Sequence, residues 1–253
     1  MCFTVAIMRN GVLLTAEEYY NSLPPVIRKK KDNPLMPEMP DFFMISGFEH
    51  PALAVIKESG MELNQWGLIP NNGMVKDRVA ADEFRKLTLN AKGETIFEKP
   101  SYRDNIISHR CLLPVSGFYE WRAYESRKYP YYIQPEQGNG FLLGSVYDSW
   151  TDTATGEISN TFSIVTTKAN PLMQMIHNIK KRMPLILTME DAHTWMKPSL
   201  SPDEIKTLIK PYDENRMKAH SISRKASNAK EFRNYSEIQN PVDYPELNQQ
   251  NLF

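Results

Sequence analysis

Residues Phe3 to Met8, FTVAIM, form an almost unbroken apolar run of strand length, the pattern of a strand buried on both faces. Next, Thr15-Ala16-Glu17-Glu18-Tyr19-Tyr20 predicts the opening of a short helix with a threonine cap and an acidic first turn. The basic run Arg28 to Lys31 leads into a proline-rich loop holding Pro34, Pro37 and Pro40. Strands are expected at Asp41 to Phe48, Leu53 to Ile56 and Glu62 to Ile69, the last ending in the turn Pro70-Asn71-Asn72-Gly73, with a helix across Asp77 to Leu87.

From Arg110 onward the chain reads as short apolar segments joined by polar turns: Arg110 to Pro114, Gly117 to Arg122, Tyr129 to Gln134, Gly140 to Tyr147 and Thr161 to Thr167. That rhythm predicts an antiparallel sheet. Leu172 to Met175 suits a short helix, Leu185 to Leu187 a strand, Glu190 to Met196 and Pro202 to Ile209 two amphipathic helices, and Met217 to Ile222 a last strand. Neither a repeat nor a Gly/Ser linker interrupts the sequence. The expected architecture is one mixed α/β domain spanning 1–253, with a barrel-like core of antiparallel strands, helices outside it, and a peripheral polar tail from about 229 to 253.

Composition narrows the function. Thirty basic and thirty acidic side chains cancel, which argues against coating nucleic acid by bulk charge, so any phosphate binding must be local. Two cysteines, Cys2 and Cys111, are too few for a disulfide scaffold or a thiolate zinc site and suit a reducing compartment. No apolar stretch reaches membrane-spanning length, and no export signal is recognisable. A cytoplasmic monomer is expected, nucleoid-associated if bacterial. His50, His109, His177, His193 and His220 show no HxH or HExxH spacing, and glycine-rich phosphate loops and GxSxG are absent, so neither metal nor nucleotide cofactor is expected.

The chemistry begins at Cys2. Loss of Met1 would leave a thiol and an α-amine on one residue, able to condense with an aldehyde to an imine and then close a thiazolidine, or to act as an N-terminal nucleophile. Glu120 lies between Tyr119 and Trp121 in a predicted strand, on the face opposite both. Turned inward, it would have its pKa raised by desolvation, fitting proton transfer near neutrality; turned outward, it would be a solvated edge residue. His177 follows an apolar stretch and precedes Lys180-Lys181-Arg182, a setting equally compatible with a structural histidine. Asn90 suits either a turn or a polar site.

The MC start, WGLIP at Trp66 to Pro70, NAKGET at Asn90, RCLLPVSGFYEW, and IH followed by RMPLIL together resemble the SOS-response-associated peptidase (SRAP) family, in order and spacing from about Cys2 to Asn228. The resemblance implies a thiol autopeptidase that removes its own initiator methionine and traps abasic sites in single-stranded DNA as a thiazolidine, with AP-lyase-like activity as a further possibility. It implies Cys2 as nucleophile and crosslinking residue, Asn90 lining the site, Glu120 as catalytic glutamate and His177 assisting ring opening and reversal. The chain departs from the family in four places. Phe3 and Thr4 replace the usual glycine and arginine, and Lys92 replaces the arginine of NAR. Asn178 to Lys181 lengthen the link from His177 to Arg182, and no YN-x-AP segment is recognisable near Phe42 to Phe48.

For the DNA, Lys92, Arg110, Lys180, Lys181 and Arg182 are candidate phosphate contacts, and Trp66, Phe118 and Trp121 are stacking or core aromatics. Two rival readings stand beside this one: an N-terminal-nucleophile cysteine peptidase or amidohydrolase acting in trans, and a non-catalytic reader of modified DNA bases.

Overall fold

The chain passes from one sheet to another at Ser116-Gly117. In a computed structural model, which describes residues 2–23 and 39–248, β6 (Arg110–Val115) ends in one sheet and β7 (Gly117–Tyr124) begins the other. The crossing is fixed on both sides: Ser116 N donates to Ala6 O at 2.9 Å, and Ser116 Oγ accepts from Met8 N at 3.0 Å. Position 117 has no room for a side chain, since a Cβ there would lie 2.5 Å from both Ile133 O and the Tyr132 ring. The basic run Arg28 to Lys31, with Pro34 and Pro37, lies outside the described residues.

The first sheet orders β13 (Met217–Ser221), β8 (Arg127–Pro135), β7, β1 (Thr4–Ile7) and β2 (Phe42–Ser46), all antiparallel. In the second, β3 (Ala52–Lys57), β4 (Gly60–Trp66), β6, β9 (Phe141–Thr151) and β10 (Ile158–Lys168) pair in the cycle β10–β4–β3–β6–β9–β10 and close a barrel. Only the β4–β10 seam of that ring is parallel. Three short strands extend it: β5 (Asn90–Lys92) parallel to β10, β11 (Arg182–Pro184) antiparallel to β10, and β12 (Ile186–Leu187) antiparallel to β9. The expected mixed α/β domain on antiparallel strands is therefore observed.

Helices follow local capping chemistry. Asp77 accepts from Ala80 N at the start of α2 (Arg78–Leu87), Asn170 from Met173 N before α4 (Pro171–Ile176), and Thr188 from Asp191 N before α5 (Met189–Trp195). Ser201 and Glu204 form a reciprocal capping box on α6 (Pro202–Leu208). Among the described residues the remaining α-helices are α1 (Arg9–Ser22), α3 (Asn105–Ser108) and α7 (Pro245–Asn248). Contrary to the expectation from sequence, Thr15 is no cap but lies inside α1, donating to Gly11 O at 2.7 Å. The helix starts earlier because β1 ends at Ile7 and the chain turns directly into it at Met8.

The polar tail straps the outer face of the first sheet. Phe43 N donates to Asn234 Oδ1 at 2.7 Å, Gln239 Nε2 donates to Phe43 O at 3.0 Å and to the Tyr119 hydroxyl at 3.1 Å, and Ile222 bridges Pro241. Ile238 is buried there with Ala6, Met44, Tyr119 and Tyr132. Among the described residues no helix is long and apolar enough to cross a membrane.

Candidate functional site

The beginning of the chain is held by the backbone on either side. β1 pairs with β2 and β7, and Gly47 N donates to Phe3 O at 2.8 Å, so Cys2 sits at the head of an anchored strand and is fully buried. Its thiol lies 3.9 Å from Thr4 O. Burial pushes the thiol pKa well up, and the nearby charge of Glu120 pushes it further in the same direction.

Asn90 meets Cys2 from the barrel side. β5 is set by pairing with Ile164 and by Leu89 O, which accepts from Trp66 Nε1 at 2.8 Å and from Ile164 N at 3.2 Å. Tyr102 Oη donates to Asn90 O at 3.3 Å. So held, Asn90 Nδ2 donates to Cys2 O at 2.8 Å across 88 residues of sequence. Its Oδ1 is buried and accepts no hydrogen bond among the described residues.

Glu120 and His177 face each other in a cavity of about 680 Å³ that opens between β7, the loop after α4, and the tail. Burial raises Glu120 to about 8 and lowers His177 to about 4. Both shifts penalise charge: near neutrality Glu120 keeps its proton and His177 stays neutral. His177 Nδ1 lies 2.9 Å from Arg182 O and 3.6 Å from Glu120 Oε1. A carbonyl only accepts, so the shorter contact puts the proton on Nδ1 and leaves Nε2 as the basic nitrogen.

The extended His177–Arg182 link is pinned rather than loose. Asn178 receives Ala123 N at 3.0 Å and donates to Ala123 O at 2.7 Å, which ties the loop to β7. Lys181 adopts the left-handed conformation (φ 48°) and donates its N–H to His177 O, closing the turn. Arg182 then forks onto Glu94 at 2.9 and 2.8 Å and reaches Thr166 O at 2.8 Å.

The proposed DNA-contacting set divides. Lys92, Lys180 and Lys181 are exposed, and Lys180 lines the cavity. Arg182 is committed to Glu94. Trp66 is fully buried, stacked on Phe162 with centroids 6.1 Å apart, and so presents no face to a base. Arg110 is buried too: its guanidinium donates to the carbonyls of Trp195, Ile106, Ile107 and Lys197, which fixes α3 and α5 against the barrel. Phe118 is core, whereas Trp121 is half-buried at the cavity edge and donates to Ser227 Oγ at 2.9 Å. Sequence reasoning did not single out Phe48, Lys128 or Arg233, which also line the cavity; no motif marks them, and only the fold brings them together.

The family model described as SOS response associated peptidase (SRAP) matches residues 9–229. The chain is 38% identical over 161 residues to "Abasic site processing protein YoqW" of Bacillus subtilis (strain 168), a match covering 63% of this chain and 67% of that protein. It is 29% identical over 168 residues to "Abasic site processing protein HMCES" of Gallus gallus, covering 58% and 48%. A crystal structure of a protein from Bacteroides thetaiotaomicron superposes with a TM-score of 0.81 at 36% identity, covering 95% of this chain and all (100%) of that one.

Proposed function

Since this chain belongs to the SOS response associated peptidase family, we propose that it processes abasic sites, trapping them in single-stranded DNA through Cys2 once Met1 has been removed. Its relatives are named for abasic site processing. The observation that carries the reading is the Asn90–Cys2 hydrogen bond, which fixes the backbone of the residue that bears the thiol.

An abasic sugar reacts through its open-chain aldehyde. Protonated Glu120 is suited to donate to the ring oxygen as the hemiacetal opens, and His177 Nε2 to accept the hydroxyl proton. The Cys2 amine, with an ordinary α-amine pKa of roughly 7.7–8.0, adds to C1′ to give a carbinolamine. Its hydroxyl leaves as water with a donated proton, forming the imine. The thiol then gives its proton to a base, sulfur bonds to C1′, and the nitrogen takes up a proton. One water is released overall. Because a buried thiol is a poor nucleophile until it loses its proton, ring closure needs a base, and the neutral His177 is suited to that role.

We assign removal of Met1 to the same thiol. Attack on the Met1 carbonyl carbon forms a thioester as the C–N bond breaks and the amine gains a proton, and water then releases methionine. Asn90 contributes by positioning, because its amide donor is bound to the Cys2 carbonyl. DNA enters single-stranded or splayed, since C1′ in a stacked duplex is out of reach of an anchored strand end. Lys92, Lys180 and Lys181 are the solvent-facing cations offered to its phosphates.

The test incubates full-length protein with a single-stranded oligonucleotide carrying one abasic site and looks for a heat-stable adduct on a denaturing gel. Wild type forms it and Cys2→Ala does not; equal adduct from both, or none from either, refutes the reading. Intact mass should show loss of Met1.

A further inference from the structure

One side chain, Asn178, ties the turn that carries His177 to the strand that carries Glu120. β1 pairs with β7 through Val5↔Phe118 and Ala6↔Gly117. Farther along β7, Ala123 lies opposite Lys128 of β8, yet both of its backbone groups are taken by Asn178. Ala123 N donates to Asn178 Oδ1 at 3.0 Å, and Asn178 Nδ2 donates to Ala123 O at 2.7 Å. A carboxamide carries a donor and an acceptor side by side in one plane, as a peptide group does, so it can engage the N–H and C=O of a strand residue as a neighbouring strand would. Asn178 therefore serves Ala123 as a strand partner, three residues beyond Glu120.

His177 has two further supports. Its N–H donates to Met173 O at 2.7 Å at the end of α4, and its ring Nδ1 lies 2.9 Å from Arg182 O. Between Asn178 and Arg182, the side chains of Ile179, Lys180 and Lys181 all face solvent, and Ile179 is 69% exposed. A segment with so little buried surface opens locally at low cost. The Asn178 tie, on the residue next to His177, separates that segment from the ring. The ring must keep its place, since Nδ1 is 3.6 Å from Glu120 Oε1 and a shift of about 1 Å in a reacting group can cost about 10²-fold in rate.

We propose that Asn178 is a positioning residue for proton transfer at the abasic sugar: by pairing with Ala123 it holds His177 against Glu120 and isolates the ring from motion of the exposed link 179–181. The role rests on the abasic-site reading above and adds to it a residue that touches neither the sugar nor Cys2. It also explains how the link can be long and exposed without loosening the histidine at its head.

Single-turnover adduct formation by full-length protein on genuine abasic single-stranded DNA is measured beside binding of an oligonucleotide carrying tetrahydrofuran, a stable abasic analogue with no aldehyde to open. Asn178→Ala, confirmed as folded by urea titration, should slow the adduct at least about tenfold while analogue affinity stays within about twofold, the pattern of a group that acts on the chemical step and not on ground-state binding. Asn178→Asp is isosteric and keeps the acceptor for Ala123 N–H, but it sets a carboxylate against the Ala123 carbonyl and should not rescue the rate. A third readout is the NMR titration of the His177 ring, its signal assigned by its absence in His177→Gln. The charged groups around that ring are Glu120 of β7, Lys180 and Arg182 of the link, and the amino terminus of the chain. Asn178→Ala removes none of them, so a rise of the His177 pKa from about 4 to above about 5 reports exposure of the ring. A wild-type rate in either variant, or an unmoved His177 titration in Asn178→Ala, overturns the positioning role. Those results beside normal wild-type adduct overturn that role alone, whereas absence of wild-type adduct overturns the reading beneath it.

Discussion

Asn90 Nδ2 donates to the carbonyl of Cys2 at 2.8 Å, joining the barrel to the first strand of the other sheet. Replacing Asn90 by alanine leaves a buried carbonyl without its donor, which costs about 1–3 kcal/mol, and releases the strand head that bears the thiol. We expect Asn90→Ala to slow single-turnover adduct formation by at least about tenfold, in keeping with the sensitivity of reactions to misplacement of a reacting group. Wild-type rates in a variant confirmed as folded by urea titration would remove Asn90 from the site.

Glu120 and His177 give stability opposite dependences on pH. The folded pKa of Glu120, about 8, lies above its ordinary 4.5, so between those values the unfolded chain has released a proton that the folded protein still holds, and stability falls as pH rises. His177, lowered from 6.5 to about 4, behaves in reverse: its contribution is lost as pH falls through that window. The two oppose each other up to about pH 6.5, and above it the Glu120 decline stands alone to about pH 8. Urea unfolding at stepped pH should show that decline in wild type and a flatter profile in Glu120→Gln. Coincident profiles would mean that Glu120 ionises normally.

Arg182 holds the turn that carries His177. Arg182→Ala removes the fork onto Glu94 and the bond to Thr166 O, and we expect a loss of about 1.5–3 kcal/mol in denaturant unfolding. Arg182→Lys should recover little of it, because an ammonium cannot span both carboxylate oxygens. Full recovery by lysine would show that charge alone matters.

Gly117 is sterically obligatory at the crossing between sheets. A Cβ placed 2.5 Å from Ile133 O requires backbone movement, so Gly117→Ala should destabilise by more than about 3 kcal/mol, at the upper end for single substitutions. A midpoint in guanidinium within error of wild type would contradict the geometry.

Local order along the chain was legible where periodicity or capping chemistry is strong. The strands from Arg110 to Thr167 and the helices near Asp77, Glu190 and Pro202 appear within a few residues of where the pattern puts them. β5 and β11 escaped notice because three residues carry no period, and each exists only through pairing with β10. Thr15 has the residue type of a helix cap, but the turn at Met8 that starts α1 ahead of it is set by the end of β1 and carries no capping side chain.

For the site, the sequence by itself determined the candidates for chemistry: Cys2 by its residue type and position, and Asn90, Glu120 and His177 through the motifs that resemble the family. Tertiary structure decided how they are held and charged. Only packing joins Asn90 to Cys2 across 88 positions, and only burial raises Glu120 while lowering His177. It also decided which polar and aromatic residues face solvent. Arg110 and Trp66 look like nucleic-acid ligands in the sequence yet are spent inside the fold, on carbonyls and on Phe162, while Phe48 and Arg233, unmarked by any motif, line the cavity. A residue's type fixes what it can bind; its burial and partners, set by contacts distant in sequence, fix whether that capacity remains for a ligand.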